Sequence, residues 1–98
     1  MKINFNKNNE NLYVSLEGRL DTTTAPEFES FLGQNSNGKD TLTIDCKKLT
    51  YISSAGLRVI LKAQKIMNVQ GSMKLTGVSD GIMEVFDITG FADILTIE

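Results

Sequence analysis

The stretch Y-I-S-S-A-G-L-R-V-I-L, residues 51–61, decides the fold because it joins two segments of different period. Before it, T-L-T-I-D at 41–45 alternates apolar and polar residues, which is typical of a strand. From Ser54 to about Asn68 the apolar residues recur with a helical period instead. The stretch therefore predicts a strand that leads, through a pair of serines, into an amphipathic helix.

The N-terminal part of the chain predicts two strands and a helix. K-I-N-F-N at 2–6 and N-L-Y-V-S-L-E-G at 11–18 both alternate, which indicates an antiparallel hairpin. Thr24, followed three residues later by Glu27, fits a capping box, so a helix is expected to begin there. Gly33 is a natural stop for this helix.

The C-terminal part continues the alternation of strands and helices. M-K-L-T-G at 73–77 predicts a strand, Ser79 or Asp80 is a candidate cap for a third helix, and I-L-T-I at 94–97 predicts a last short strand. The order is β-β-α-β-α-β-α-β, and helices between strands require crossover connections. The sequence thus predicts one α/β domain over residues 1–98, with a mixed, mostly parallel sheet and about three to four helices.

Composition excludes several classes of function. The net charge is −2, so the chain lacks the basic excess that drives binding to nucleic-acid phosphates. No apolar run approaches the roughly 20 residues that span a bilayer, so no membrane insertion is expected. The first ten residues hold no apolar signal core, and we therefore expect a cytoplasmic protein.

The chain contains no histidine and one cysteine, Cys46. Serine or cysteine nucleophile systems that use a histidine base are thereby excluded within this chain. The usual ligands of zinc are missing as well. We expect neither enzyme activity nor a cofactor or metal site.

The four small residues between the predicted strand and helix, Ser53 to Gly56, have both a structural and a functional interpretation. Ser53 or Ser54 can cap the following helix, a role that needs only one of them. Gly56 is costly in a helix, which suggests that something approaches its backbone closely. A neighbouring strand, an anion or a partner protein would each fit. A nucleotide phosphate is disfavoured because the glycine-rich phosphate-binding motifs are absent. A phosphate carried covalently by a serine would suit the helix N-terminus.

Four segments together resemble the STAS domains of bacterial anti-sigma factor antagonists. L-T-Y-I-S-S-A-G-L-R-V-I-L is similar to the signature of that family, and G-R-L-D-T-T-T-A-P-E-F carries its G-x-L-D segment. T-L-T-I-D-C-K-K-L resembles the strand before the signature, and V-F-D-I-T-G-F resembles the third helix and the turn after it. The resemblance covers essentially the whole chain and implies the STAS fold.

The resemblance implies partner switching in transcription. Family members bind an anti-sigma factor, often a serine kinase, and so release a sigma factor; phosphorylation by the kinase ends the interaction and a serine phosphatase restores it. The modified serine then falls on Ser54, with Ser53 as the second candidate. Asp21 takes the acidic position of G-x-L-D, although a capping aspartate would look the same. The implied partner-binding residues are Asp21, Thr22, Ser53, Ser54, Ala55, Gly56 and Arg58.

Two departures and two alternatives stay open. The common family form is D-S-S-G-L, and this chain has Ser53 in place of the aspartate and Ala55 in place of the second serine. The first alternative is a STAS subunit that docks on a transporter ATPase, or acts as a scaffold, without phosphorylation. The second is a nucleotide-binding module.

Overall fold

The sheet and its helices follow the predicted order. The computed structural model describes all 98 residues. The elements are β1 (Lys2–Lys7), β2 (Asn11–Leu20), α1 (Ala25–Asn35), β3 (Thr41–Ile52), α2 (Ser54–Gln70), β4 (Ser72–Thr76), α3 (Asp80–Thr89) and a short 3-10 helix (Phe91–Asp93). The sheet order is β1-β2-β3-β4, with β1 and β2 antiparallel and the other neighbours parallel, which confirms a mixed, mostly parallel sheet.

One core joins the inner face of the sheet to the three helices. The alternation of β2 places Leu12, Val14 and Leu16 on this face, while Tyr13 and the residues between them point to the other. In the strand order β2-β3-β4 the successive right-handed crossovers run in one direction across the sheet, which puts their helices on the same side. The largest fully buried side chains of the helices are Phe28, Ile60, Met67 and Phe86. None of the helices is both long and apolar enough to cross a membrane.

Strand β3 is longer than predicted, and the predicted end of this strand at Asp45 is wrong. It continues to Ile52 through two irregularities in its pairing with β2. Beyond Asp45 the buried residues are Cys46, Leu49 and Ile52, one in every three rather than one in every two. Bulges shift the side-chain alternation in this way. A prediction based on alternating apolar and polar residues therefore ends the strand before the bulges.

Two other boundaries differ from the prediction. Helix α1 passes through Gly33 and ends two residues later, where the N–H of Ser36 donates to the carbonyl oxygen of Leu32 at 2.9 Å. The last strand is reduced to a single parallel bridge between Leu75 and Ile97. Of the two residues predicted as candidate caps of α3, Ser79 is the one that caps the helix.

A buried carboxylate, which the sequence analysis did not single out, lies on β3. Asp45 is 6% exposed, and its carboxylate accepts from the Tyr13 hydroxyl at 2.8 Å and from the N–H of Lys47 at 2.9 Å. Burial alone would raise the pKa of Asp45, but these hydrogen bonds and the nearby lysine charges outweigh it and lower the pKa. Asp45 thus remains ionised and fastens β2 to β3.

Candidate partner-binding site

The carboxyl ends of β2 and β3 bring the two motif segments together. The N–H of Ser53 donates to the carbonyl oxygen of Leu20 at 2.9 Å, immediately after the last paired residues of the two strands. Because the strands are parallel, Asp21 and Ser53 both leave the sheet at the same edge. The G-R-L-D and S-S-A-G segments are therefore neighbours in space.

Ser53 is the cap of α2. Its backbone is extended, with φ −100° and ψ 175°, and its hydroxyl oxygen accepts from the N–H of Gly56 at 3.5 Å. Its carbonyl oxygen also accepts the helical hydrogen bond from the N–H of Leu57 at 2.9 Å. The side chain is half-buried. Ser53 therefore has a structural role at the helix start.

Ser54 is the exposed member of the pair. It is the first residue of α2, and its hydroxyl is not needed for the cap that Ser53 provides. The free N–H groups and the dipole of the helix start favour negative charge at this position. Of the two serines, Ser54 is the accessible one.

Gly56 is buried under the end of β2 rather than exposed at the surface, and its predicted contact with a partner stays a prediction. A β-carbon at this position would lie 2.7 Å from Leu20 Cγ and 3.1 Å from Ile52 Cγ1. The close approach that the glycine signals is that of neighbouring strands within the fold.

Asp21 is fully engaged in the turn before α1. One carboxylate oxygen accepts from the Thr23 hydroxyl at 2.8 Å, from the Thr23 N–H at 3.0 Å and from the Thr24 N–H at 3.2 Å. The pKa of Asp21 is lowered to about 2, mainly by the hydrogen bond from the Thr23 hydroxyl. Partial desolvation opposes this shift, and the hydrogen bonds from the two N–H groups add to it. The carboxylate therefore stays ionised and holds the turn.

The predicted capping box of α1 is not formed. The Thr24 side chain makes no capping hydrogen bond to the helix. Its hydroxyl instead accepts from the N–H of Asp21 at 2.8 Å and donates to the carbonyl oxygen of Arg19 at 2.8 Å. Because the turn folds back on β2, the hydroxyl faces that strand rather than the N–H groups that a capping box would satisfy.

Three of the predicted contact residues line one groove between α1 and α2. Thr22, Ala55 and Arg58 border a space of about 310 Å³. An ion pair at the same groove joins Lys62 Nζ to Glu29 Oε2 at 3.2 Å. The other lining residues are Ala25, Pro26 and Val59. Small side chains near Ser54 leave this groove open to a protruding group of another protein.

An exposed cation–aromatic pair, which the sequence analysis did not identify, lies beside the S-S-A-G segment. The guanidinium carbon of Arg19 lies 4.0 Å from the ring centre of Tyr51, and Arg19 Nε lies 3.6 Å from a carboxylate oxygen of Asp21. Arg19 and Tyr51 are partners across β2 and β3 only because the register shifts just before them. No signal in the sequence alone reveals that shift.

Comparison with known proteins gives consistent matches. The family model of the STAS domain matches residues 2–98. The anti-sigma-B factor antagonist of Bacillus subtilis is 38% identical over 101 residues, which cover 99% of this chain and 92% of that protein. BtrV of Bordetella bronchiseptica, assigned as an anti-sigma factor antagonist, is 35% identical over 99 residues, covering 99% of this chain and 85% of that protein.

A solved structure agrees with the fold. The Bacillus cell fate determinant SpoIIAA in its phosphorylated form superposes with a TM-score of 0.76 at 17% identity, over 99% of this chain and 91% of that one. At this identity the likeness concerns the fold alone.

Proposed function

Because the chain belongs to the STAS-domain family, we propose that it is an anti-sigma factor antagonist. It binds an anti-sigma factor and thereby releases a sigma factor to direct transcription. The names of two relatives that match 99% of the chain support this function. The observation that carries the regulatory part is the exposure of Ser54 at the start of α2, while Ser53 holds the helix cap.

The docking surface is the groove between α1 and α2 together with Ser54. Thr22 and Ala55 are short, so a side chain of the anti-sigma factor reaches the backbone of the helix start. Arg58 supplies a positive charge at the border of the same groove. Small residues with one flanking arginine suit a partner that presents an apolar side chain beside a carboxylate.

Phosphorylation of Ser54 ends the interaction. A serine kinase transfers the γ-phosphoryl group of ATP to Ser54 Oγ: the O–P bond forms, ADP leaves and the hydroxyl proton passes to a base of the kinase. The phosphate adds a charge of about −1.5 to −2 at a helix end that tolerates it, so the fold persists. Charge and bulk then obstruct the partner, until a phosphatase hydrolyses the ester to serine and inorganic phosphate.

The departure at position 53 is compatible with this mechanism. Aspartate and serine are both preferred N-cap residues, so Ser53 keeps the helix start that an aspartate would provide. The Ser53 side chain is half-buried and its hydroxyl oxygen accepts from the N–H of Gly56, whereas Ser54 is exposed. Ser54 is therefore the serine that a kinase reaches without displacing the cap.

The test combines phosphate mapping with binding. Intact mass and fragmentation of the protein from its own host, in growth and under stress, should place one phosphate on Ser54. In calorimetry against the anti-sigma factor of that host, Ser54→Ala should bind like the wild type. Ser54→Asp should bind at least about tenfold more weakly, a difference of about 1.4 kcal/mol.

Ser30→Asp is the matched control, since it adds the same charge to an exposed serine of α1 that does not line the groove. Unchanged affinity of Ser54→Asp would refute the switch. Binding to a transporter ATPase, with none to the anti-sigma factor, would refute antagonism and support the transporter-subunit alternative.

A further inference from the structure

Three cations lie at the groove between α1 and α2 or at the turn before α1, and only one of them is without an acidic partner. Lys62 is paired with Glu29 at 3.2 Å. Arg19 contacts Asp21 at 3.6 Å and lies over the ring of Tyr51. Arg58 is exposed and forms no ion pair, since the four salt bridges of the protein all involve other residues. Its guanidinium is therefore available.

The position of Arg58 on α2 directs it toward Ser54. The two residues are four apart on one helix, so their β-carbons are neighbours at about 5–6 Å. Helical side chains point back toward the N-terminus and cover the preceding turn. The long side chain of Arg58 thus extends over the turn that begins with Ser54, and both side chains are exposed.

We propose that Arg58 binds the phosphate of phosphorylated Ser54 and is thereby withdrawn from the partner protein. The inference rests on the proposed phosphorylation of Ser54 and assigns the residue that responds to it. A guanidinium binds a phosphate through two parallel N–H···O bonds, whereas an ammonium acts as a point charge. Phosphorylation then acts twice, by adding a negative charge at the groove and by occupying its unpaired cation.

The test is a phosphorus NMR titration of protein that carries phosphoserine at position 54, introduced during synthesis. The second pKa of phosphoserine is ordinarily about 6. Arg58→Gln should raise it by about 0.15–0.4, because an exposed pair at this spacing contributes about 0.2–0.5 kcal/mol and one pKa unit equals 1.36 kcal/mol. The difference should shrink in high salt.

Two further variants make the result specific. Lys65→Gln removes the same charge from an exposed and unpaired position of α2, about two turns from Arg58 and about three turns from Ser54, and should leave the phosphate pKa unchanged. Arg58→Lys should keep a part of the shift. Equal pKa values in the wild type and Arg58→Gln, or an equal shift in Lys65→Gln, would overturn the proposal.

The titration requires neither a kinase nor a partner. If the protein bound no anti-sigma factor, the proposed function would fail while the pairing of Arg58 with the phosphate would still be measured. The failure of one is therefore distinguishable from the failure of the other.

Discussion

Leu20 lies directly against the backbone of Gly56. A β-carbon on Gly56 would stand 2.7 Å from Leu20 Cγ and 2.9 Å from the Leu20 carbonyl oxygen. This contact fixes the start of α2 against the end of β2, so the S-S-A-G segment is rigidly placed. Gly56 packs against the protein interior, and Ser54 is exposed to solvent.

Gly56→Ala should lower the free energy of unfolding by about 1–3 kcal/mol, because the added methyl group overpacks the contact with Leu20. Gly33→Ala is the matched control. Gly33 lies in α1 with open space around it, so alanine should raise the free energy of unfolding by about 0.5–1 kcal/mol. Urea unfolding followed by circular dichroism measures both, and equal effects would contradict the close packing of Gly56.

Asp21 should make stability depend on pH in the acid range. Its pKa is about 2 in the folded protein, against an ordinary value of 3.8. The unfolded state therefore binds the proton more readily, and the contribution of Asp21, fully present above pH 3.8, is lost as the pH falls toward about 2. The free energy of unfolding should fall less steeply over this range in Asp21→Asn than in the wild type.

Thr23→Val tests the cause of that dependence. It keeps the shape of the side chain but removes the hydroxyl that donates to Asp21 at 2.8 Å. Its acid slope should lie between those of the wild type and Asp21→Asn. A wild-type slope in Asp21→Asn would show that Asp21 does not contribute to the acid dependence.

Asp45→Asn should lower the free energy of unfolding by about 1–3 kcal/mol, because a buried acceptor of two hydrogen bonds loses part of its capacity. Tyr13→Phe removes one donor to the same carboxylate. The double variant should lose less stability than the sum of the two single variants, since both disrupt one network. Strict additivity in chemical unfolding experiments would contradict a shared role.

Cys46 should be inert in the native protein. Burial, with a smaller effect from the charge of Asp45, raises the pKa of the Cys46 thiol to about 12, and the thiolate is the reactive form. An aromatic disulfide reagent at mildly alkaline pH should modify the native protein only as fast as it unfolds. The same protein in denaturant is the control and should react fully within minutes. Rapid modification without denaturant would contradict the burial of the thiol.

Much of the fold could be predicted from periodicity, and the exceptions have local causes. Strand β2 and helix α2 follow their apolar patterns because each buries one regular face, whereas β1 pairs with β2 although none of its residues is fully buried. The end of β3 could not be predicted, since two bulges replace a period of two by a period of three up to Ile52. The last strand was expected at full length, but only Ile97 pairs with β4.

The segment that carries the candidate site could be predicted from the sequence, but the surface that it forms with distant residues could not. The resemblance implied Ser54, which the structure leaves exposed at the helix start, but as a phosphorylation site it remains a prediction. The burial of Gly56 depends on where Leu20 ends its strand, and the pair of Arg19 with Tyr51 depends on a shift in register. Such contacts join residues that are more than 30 positions apart, so no local pattern records them.

The division of work between the two serines has a consequence for evolution. Since Ser53 alone caps α2, natural selection can change position 54 without rebuilding the helix. Under the proposed switch, alanine at position 54 of a duplicated gene would give a copy that always binds its partner, and an acidic residue would give a copy that does not bind. A lineage could thus lose or fix its regulation by one substitution while it inherits the fold intact.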